Sequence, residues 1–301
     1  MKELVIISGK GGTGKTSITA AFAVLAGGHA VLCDCDVDAA DLHLVLEPVI
    51  RERHEFKSGH EAVIRQEDCM ACGVCVELCR FGAAKITGKR EGNLTYGIDP
   101  ISCEGCGVCV QFCPVDAIDF PERHCGQWFV SDTRCGPMVH ARLGIAAENS
   151  GKLVSTVRQE ARRIAEKENY DMIITDGPPG IGCPVIASLT GATQVLVVTE
   201  PTVAGEHDLE RVLSLTRHFE IPTSICVNKW DINTEMTQRI EEKAQQSGAD
   251  VAGRIRCDNA VTLAQIQKKA VVEIDAPSAG DIKQVWKNLN IQEEGTIKWK
   301  Q

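Results

Sequence analysis

Gly9-Lys10-Gly11-Gly12-Thr13-Gly14-Lys15-Thr16 follows the apolar run Leu4-Val5-Ile6-Ile7 and opens an Ala-rich stretch from Thr16 to Ala26. Glycines at 9, 11, 12 and 14 let the backbone wrap closely around phosphates and turn its N–H groups toward them. Lys15 is placed to reach β- and γ-phosphate oxygens, and the Thr16 hydroxyl to meet Mg²⁺. Strand, loop and helix are completed into a βαβ unit by Ala30-Val31-Leu32-Cys33, which ends in Asp34-Cys35-Asp36-Val37-Asp38. A helix-like segment follows around Asp41–Leu46. A plain glycine-rich turn would not need that strand before it and that helix after it.

The same rhythm returns late in the chain. Val154–Lys167 reads as a helix and Met172-Ile173-Ile174-Thr175 as a strand ending at Asp176. Val195-Leu196-Val197-Val198 and Ser224-Ile225-Cys226-Val227 are further buried strands, with helical stretches over 206–218 and 235–246. Continuous apolar strands alternating with helices predict an α/β fold, a mostly parallel sheet covered by helices on both faces. In between, residues 51–61 are charged and polar, cysteines crowd residues 69–113, and strand character returns at Trp128-Phe129-Val130. The expected organisation is a discontinuous P-loop domain over 1–56 and 122–301, interrupted by a small α+β domain over 57–121.

That interruption carries two copies of one pattern. Cys69, Cys72, Cys75 and Cys79 form the first C-x-x-C-x-x-C-x-x-x-C run; Cys103, Cys106, Cys109 and Cys113, followed by Pro114, form the second. This is the bacterial ferredoxin spacing for two 4Fe-4S clusters, in which the fourth cysteine of each run serves the other cluster. Cys69, Cys72, Cys75 and Cys113 are then the first ligand set, and Cys79, Cys103, Cys106 and Cys109 the second. Zinc sites want two separated pairs, whereas each run offers three close cysteines plus one. Arg80 stands where the pattern has proline after the first run. Of the other cysteines, Cys33, Cys226 and Cys257 read as small core residues and Cys35 as packing inward; Cys125 and Cys135 have no assigned role.

Composition narrows the classes. The chain has 301 residues, 15 cysteines and a formal charge of −9. That acidity argues against a non-specific grip on nucleic acid, and no apolar run is long enough to span a bilayer. The first residues read directly as a buried strand and not as a signal peptide. Cysteine-rich and without an export signal, the chain is expected to be cytoplasmic and to use thiols for metal rather than disulfides.

Lys10, inside K-G-G-T-G-K-T, resembles the deviant Walker A motif of the MinD/ParA-type ATPases, with the nitrogenase iron protein a more distant relative. In that family this lysine contacts phosphates bound by the opposing subunit. The resemblance therefore implies an ATP-sandwich dimer, either of identical chains or with a related ATPase. Asp34-Cys35-Asp36 looks like the family's switch I, with Asp36 orienting the attacking water. Asp176-Gly177-Pro178-Pro179-Gly180 looks like Walker B and switch II, with Asp176 holding Mg²⁺ and the Gly180 N–H sensing the γ-phosphate. Asn228, in Val227-Asn228-Lys229-Trp230-Asp231, resembles the adenine-recognition element. The likeness covers residues 1–46 and about 150–280, including Gly182-Cys183-Pro184-Val185 and Thr199-Glu200-Pro201-Thr202. Cys183 stands where the iron protein ligates a cluster shared across its dimer, although two such cysteines supply only half the ligands.

Joined together, these readings predict a Mg²⁺-dependent ATPase with Lys10, Lys15 and Asp36 as its catalytic groups. Its nucleotide-switched dimer would be coupled to electron transfer through two 4Fe-4S clusters, toward a redox or metallocofactor protein. Two other readings stay open: an ATP-timed carrier that delivers clusters, and a MinD/ParA-like spatial organiser with a redox-sensing insert.

Overall fold

The computed structural model describes residues 1–90, 92–144 and 150–289. Its larger compact unit is built on Met1–His54, Gln127–Leu143 and the chain from Ser150 onward; the smaller is built on Glu55–Gly126.

A nine-stranded sheet runs in the order Asp250–Ile255, Thr223–Asn228, Gln194–Thr199, Lys2–Ser8, Met172–Pro179, Ala30–Asp34, Gly136–Leu143, Glu122–Thr133, Val49–His60. Every pairing from the first of these to Gly136–Leu143 is parallel. Only Arg134 and Cys135 separate Glu122–Thr133 from its neighbour Gly136–Leu143, a link that antiparallel strands alone can use. Lys2–Ser8 sits among the central strands, so its whole apolar run is buried. Period-two alternation splits it: Leu4 and Ile6 join one core while Val5 and Ile7 join the other. The first core is closed by Ile18 and Phe22 of the Lys15–Leu25 helix, by Leu42 and Leu46, and by Ile282, Val285 and Trp286 of the Pro277–Asn288 helix. Val185, Leu189, Leu209, Val212 and Ile240 close the second. Helices thus cover both faces, as the strand pattern requires.

Two strands depart from the sequence reading. The charged stretch 51–61 falls almost wholly within the Val49–His60 strand, of which only Phe56 and Ser58 are buried. It is the last strand of its sheet, and an outer strand keeps a polar, charged face without breaking its ladder. Gly136–Leu143 buries Met138, Val139, His140 and Ala141, yet Pro137 and Arg142 hide it from pattern reading. Among the described residues, no helix is long and apolar enough to cross a membrane.

Within the smaller unit, Val63–Ile64 pairs antiparallel with Ile118–Asp119, and Ala84–Arg90 pairs antiparallel with Asn93–Ile98. The backbone of the two cysteine runs repeats itself. Ala71 and Gly105 are left-handed at φ 59° and 61°, Gly73 and Gly107 at 80° and 74°, and Gly82 and Asp116 at 66° and 50°. Gly73 and Gly107 start the short helices Val74–Leu78 and Val108–Gln111. The apolar core here is small: Ala62, Ile64, Ala83, Tyr96 and Ile118, with Cys103 buried among them and Cys69, Cys75, Cys79, Cys109 and Cys113 packed against it. A core of that size ordinarily needs a staple such as disulfides or metal.

Candidate functional site

The loop between Lys2–Ser8 and the Lys15–Leu25 helix is braced from several sides. The Ser8 hydroxyl donates to the Lys10 carbonyl at 2.6 Å, and Asn228 Nδ2 donates to the Thr13 carbonyl at 2.8 Å. Gly14, at φ 90°, hands the chain into the helix; a Cβ there would lie 2.5 Å from Asn228 Nδ2, so only glycine serves. Thr13 is 1% exposed, and its hydroxyl has no partner among the described residues. A buried, unsatisfied hydroxyl on a loop of this kind suits an incoming phosphate.

Acidic groups converge below the loop. Thr16 Oγ1 donates to Asp176 Oδ2 at 2.7 Å, and Thr19 Oγ1 lies 2.9 Å from Asp176 Oδ1. Lys15 Nζ stands 3.6 Å from Asp36 Oδ2, with the lysine side chain only 5% exposed. The Asp36 N–H donates to Asp34 Oδ1 at 3.2 Å, whereas Asp34 Oδ2 is buried without a partner among the described residues. Burial pushes the Asp176 carboxyl up to about 6, against the opposing pull of Lys15, Thr16 and Thr19. Burial and the Asp176 charge raise Asp34, and burial raises Asp36 against the pull of Lys15. Three carboxylates held this close are short of positive charge. The oxygens of Thr16, Asp176 and Asp34 are hard donors of the type Mg²⁺ takes, so the residues present fit that ion.

Other expected contacts are engaged differently. The Gly180 N–H donates to the Ser8 carbonyl at 2.8 Å and must leave it to meet a phosphate. Asn228 spends Nδ2 on Thr13, while its Oδ1 accepts from the Lys229 N–H at 3.0 Å. Here it braces the loop. Lys10 Nζ lies 3.4 Å from Thr202 Oγ1 and 3.9 Å from Glu200 Oε1.

The smaller unit holds two cavities. One is lined by Cys69, Cys72, Cys75 and Cys113 beside Ile64 and Tyr96. The other is lined by Cys79, Cys103, Cys106 and Cys109 beside Phe81 and Ile98. Both combine three cysteines of one run with the fourth of the other. Ala117 N–H donates to Cys113 Sγ at 3.3 Å. Cys72 and Cys106 are exposed and Cys103 is buried. Among the described residues, no three His, Cys, Asp or Glu side chains converge tightly enough for a single metal ion.

The remaining cysteines sort by burial. Cys33, Cys35, Cys135 and Cys226 are buried in the larger unit, and burial pushes the thiols of Cys35, Cys135 and Cys226 up. Cys125 is buried too and donates to the Ser58 carbonyl at 3.2 Å. Cys257 was expected in the core but is exposed, because the strand before it ends at Ile255. Cys183 is exposed as well.

The model of the CobQ/CobB/MinD/ParA nucleotide binding domain matches residues 4–271. The chain belongs to this family. An uncharacterized protein of Methanocaldococcus jannaschii is 32% identical over 242 residues, covering 77% of this chain and 79% of that protein. The septum site-determining protein MinD complexed with Mg-ADP, from Pyrococcus horikoshii OT3, shares the fold at a TM-score of 0.55 and 16% identity. That match covers 96% of both chains. The MinC:MinD cell division complex of Aquifex aeolicus matches at a TM-score of 0.55 and 18% identity over 100% of both chains. A MinD/ParA-type P-loop ATPase fold is therefore the frame that carries the loop, Asp36 and Asp176.

Within that MinD/ParA frame, sequence reading passed over Thr19, and it quoted Asp34, Glu200 and Lys229 inside family-like stretches without giving them a role of their own. Thr19 had a signal: it lies three residues after Thr16 and so shares its helix face. Glu200 had none, because its partner Lys10 is nearly two hundred residues away in the chain.

Proposed function

We propose that the chain hydrolyses Mg·ATP as a nucleotide-switched dimer and couples that switch to electron transfer through two 4Fe-4S clusters. The observation that carries the iron–sulfur half is the lining of the two cavities: each collects one of the cysteine sets that a cross-ligated pair of clusters needs. Such a cluster would supply a one-electron carrier. Cys69, Cys72, Cys75 and Cys113 would hold one, and Cys79, Cys103, Cys106 and Cys109 the other. On this reading the smaller unit is a ferredoxin-like insert, and exposed Cys72 and Cys106 give a redox partner its approach.

The nucleotide half follows from competing contacts. A phosphate in the loop draws Lys15 toward itself and away from Asp36, leaving that carboxylate free to orient water. The Gly180 N–H, released from the Ser8 carbonyl, turns to the γ-phosphate. Thr16 and Asp176 would hold Mg²⁺, which would supply further positive charge, while Lys15 and Lys10 neutralise the phosphoryl oxygens. Ordering on binding and release on hydrolysis make a two-state element. The cysteine-bearing segment follows Asp36 in the chain, and it is from that order that the coupling is proposed.

The exposure of Cys72 and Cys106 also suits an ATP-timed cluster carrier, and rapid transfer of iron to an apo-protein would select that reading. The dimer is tested on a sizing column under anaerobic conditions. Mg·ATP is expected to shift the full chain from monomer to dimer and ADP to leave it monomeric. Elution unchanged by ATP, at protein concentrations well above micromolar, would count against the switch.

A further inference from the structure

Glu200 directly follows the Gln194–Thr199 strand and divides its carboxylate between two lysines. Oε1 faces Lys10 Nζ at 3.9 Å, and Oε2 faces Lys229 Nζ at 3.7 Å. The Glu200 side chain is 16% exposed, while the two lysines are about one-third exposed. Thr202 Oγ1, which also accepts from the Gly205 N–H at 3.0 Å as the cap of the next helix, adds a second hold on Lys10. Lys229 is kept close by strained backbone: it is left-handed at φ 56°, and its N–H is tied to Asn228 Oδ1.

From this geometry we infer that Glu200 is a positioning residue that parks Lys10 away from the phosphates, with Lys229 as the counter-ion that lets it go. A mostly buried carboxylate left without a cation is costly. With Lys229 on its other oxygen, Glu200 stays paired when Lys10 swings out, so release is easy and reversible. Take Lys229 away and Glu200 holds Lys10 alone, more tightly. Remove Glu200 and Lys10 has no ionic partner in its own chain among the described residues. The amount of ATP needed to recruit Lys10 is thus set by a carboxylate that touches no phosphate. This inference rests on the reading of the loop as an ATP site, and it deepens that reading.

The test is a double-mutant cycle on the full chain, purified without oxygen, with Mg·ATP as the probe. Turnover gives KM and kcat, and calorimetry gives the Kd for Mg·ATP. Glu200→Gln should lower KM and Kd about two- to fivefold and Lys229→Gln should raise them by a similar factor, as partly exposed ion pairs allow. The double variant decides. Parking predicts that it matches Glu200→Gln, because Lys229 matters only through Glu200. Plain surface electrostatics predicts additivity, with the double variant back near wild type, and that result overturns the inference. Equal loss of kcat in all variants with KM unchanged also overturns it, since that marks a purely structural role. Should wild type bind Mg·ATP without turning it over, the ATPase reading fails, while the calorimetric cycle still tests the parking of Lys10.

Discussion

Replacing Lys15 by alanine is expected to abolish ATP hydrolysis, lowering kcat on the order of 10²–10³-fold or more, while iron content and visible absorbance stay at wild-type values. Lys15 is the cation beside Asp36 and Asp176, which together with Asp34 form a buried acidic group, and its side chain is 95% removed from solvent. Its loss takes charge from the phosphoryl group and also leaves Asp36 and Asp176 without their nearby cation. The carboxylates can answer by protonating, since burial already raises all three. Lys15→Gln removes the charge but keeps most of the side chain's bulk and a polar tip, and so separates lost catalysis from lost fold. It should melt within a few degrees of wild type and yet be as inactive as Lys15→Ala. Substantial turnover by folded Lys15→Gln would mean that phosphate is handled elsewhere.

The second large effect concerns which cysteines act together. Cys72→Ala and Cys113→Ala line the same cavity although they belong to different runs. Each is expected to remove about half the iron, and the double variant should lose no more than either alone. Cys72→Ala combined with Cys79→Ala strikes both cavities and should leave almost none. Ligation within each run predicts the reverse, with the Cys72 and Cys79 pair losing half and the Cys72 and Cys113 pair losing everything. Iron and sulfide analysis of the anaerobic proteins distinguishes the two patterns. Because the apolar core of the smaller unit is so small, the fully stripped variant should also expose that unit to proteolysis before the larger one.

Much of the larger unit could be read from its residues because its strands are buried on both faces, and such strands are continuous apolar runs. Leu4–Ile7, Val195–Val198 and Ile225–Val227 all declared themselves in this way. Val49–His60 did not: at the outer edge of a sheet it has little to bury, so charge and alternation say nothing about its ladder. Asp250–Ile255 lacked a clear run because Gly253 and Arg254 interrupt it. At the proposed nucleotide site, motif spacing and strand ends account for Lys15, Thr16, Asp36 and Asp176 lying together. What could not be read was the state of each group. Nothing local signals that Gly180 N–H rests on Ser8, that Asn228 braces Thr13, or that Glu200 holds Lys10, for these are tertiary choices between distant segments.

One determination bears most directly on the claim that a single chain joins an ATP switch to iron–sulfur clusters. The full chain, purified without oxygen, is assayed for iron, zinc and acid-labile sulfide per polypeptide. The account predicts a brown protein with about eight iron and about eight sulfide per chain. A colourless protein without labile sulfide, or one holding zinc in place of iron, would contradict it.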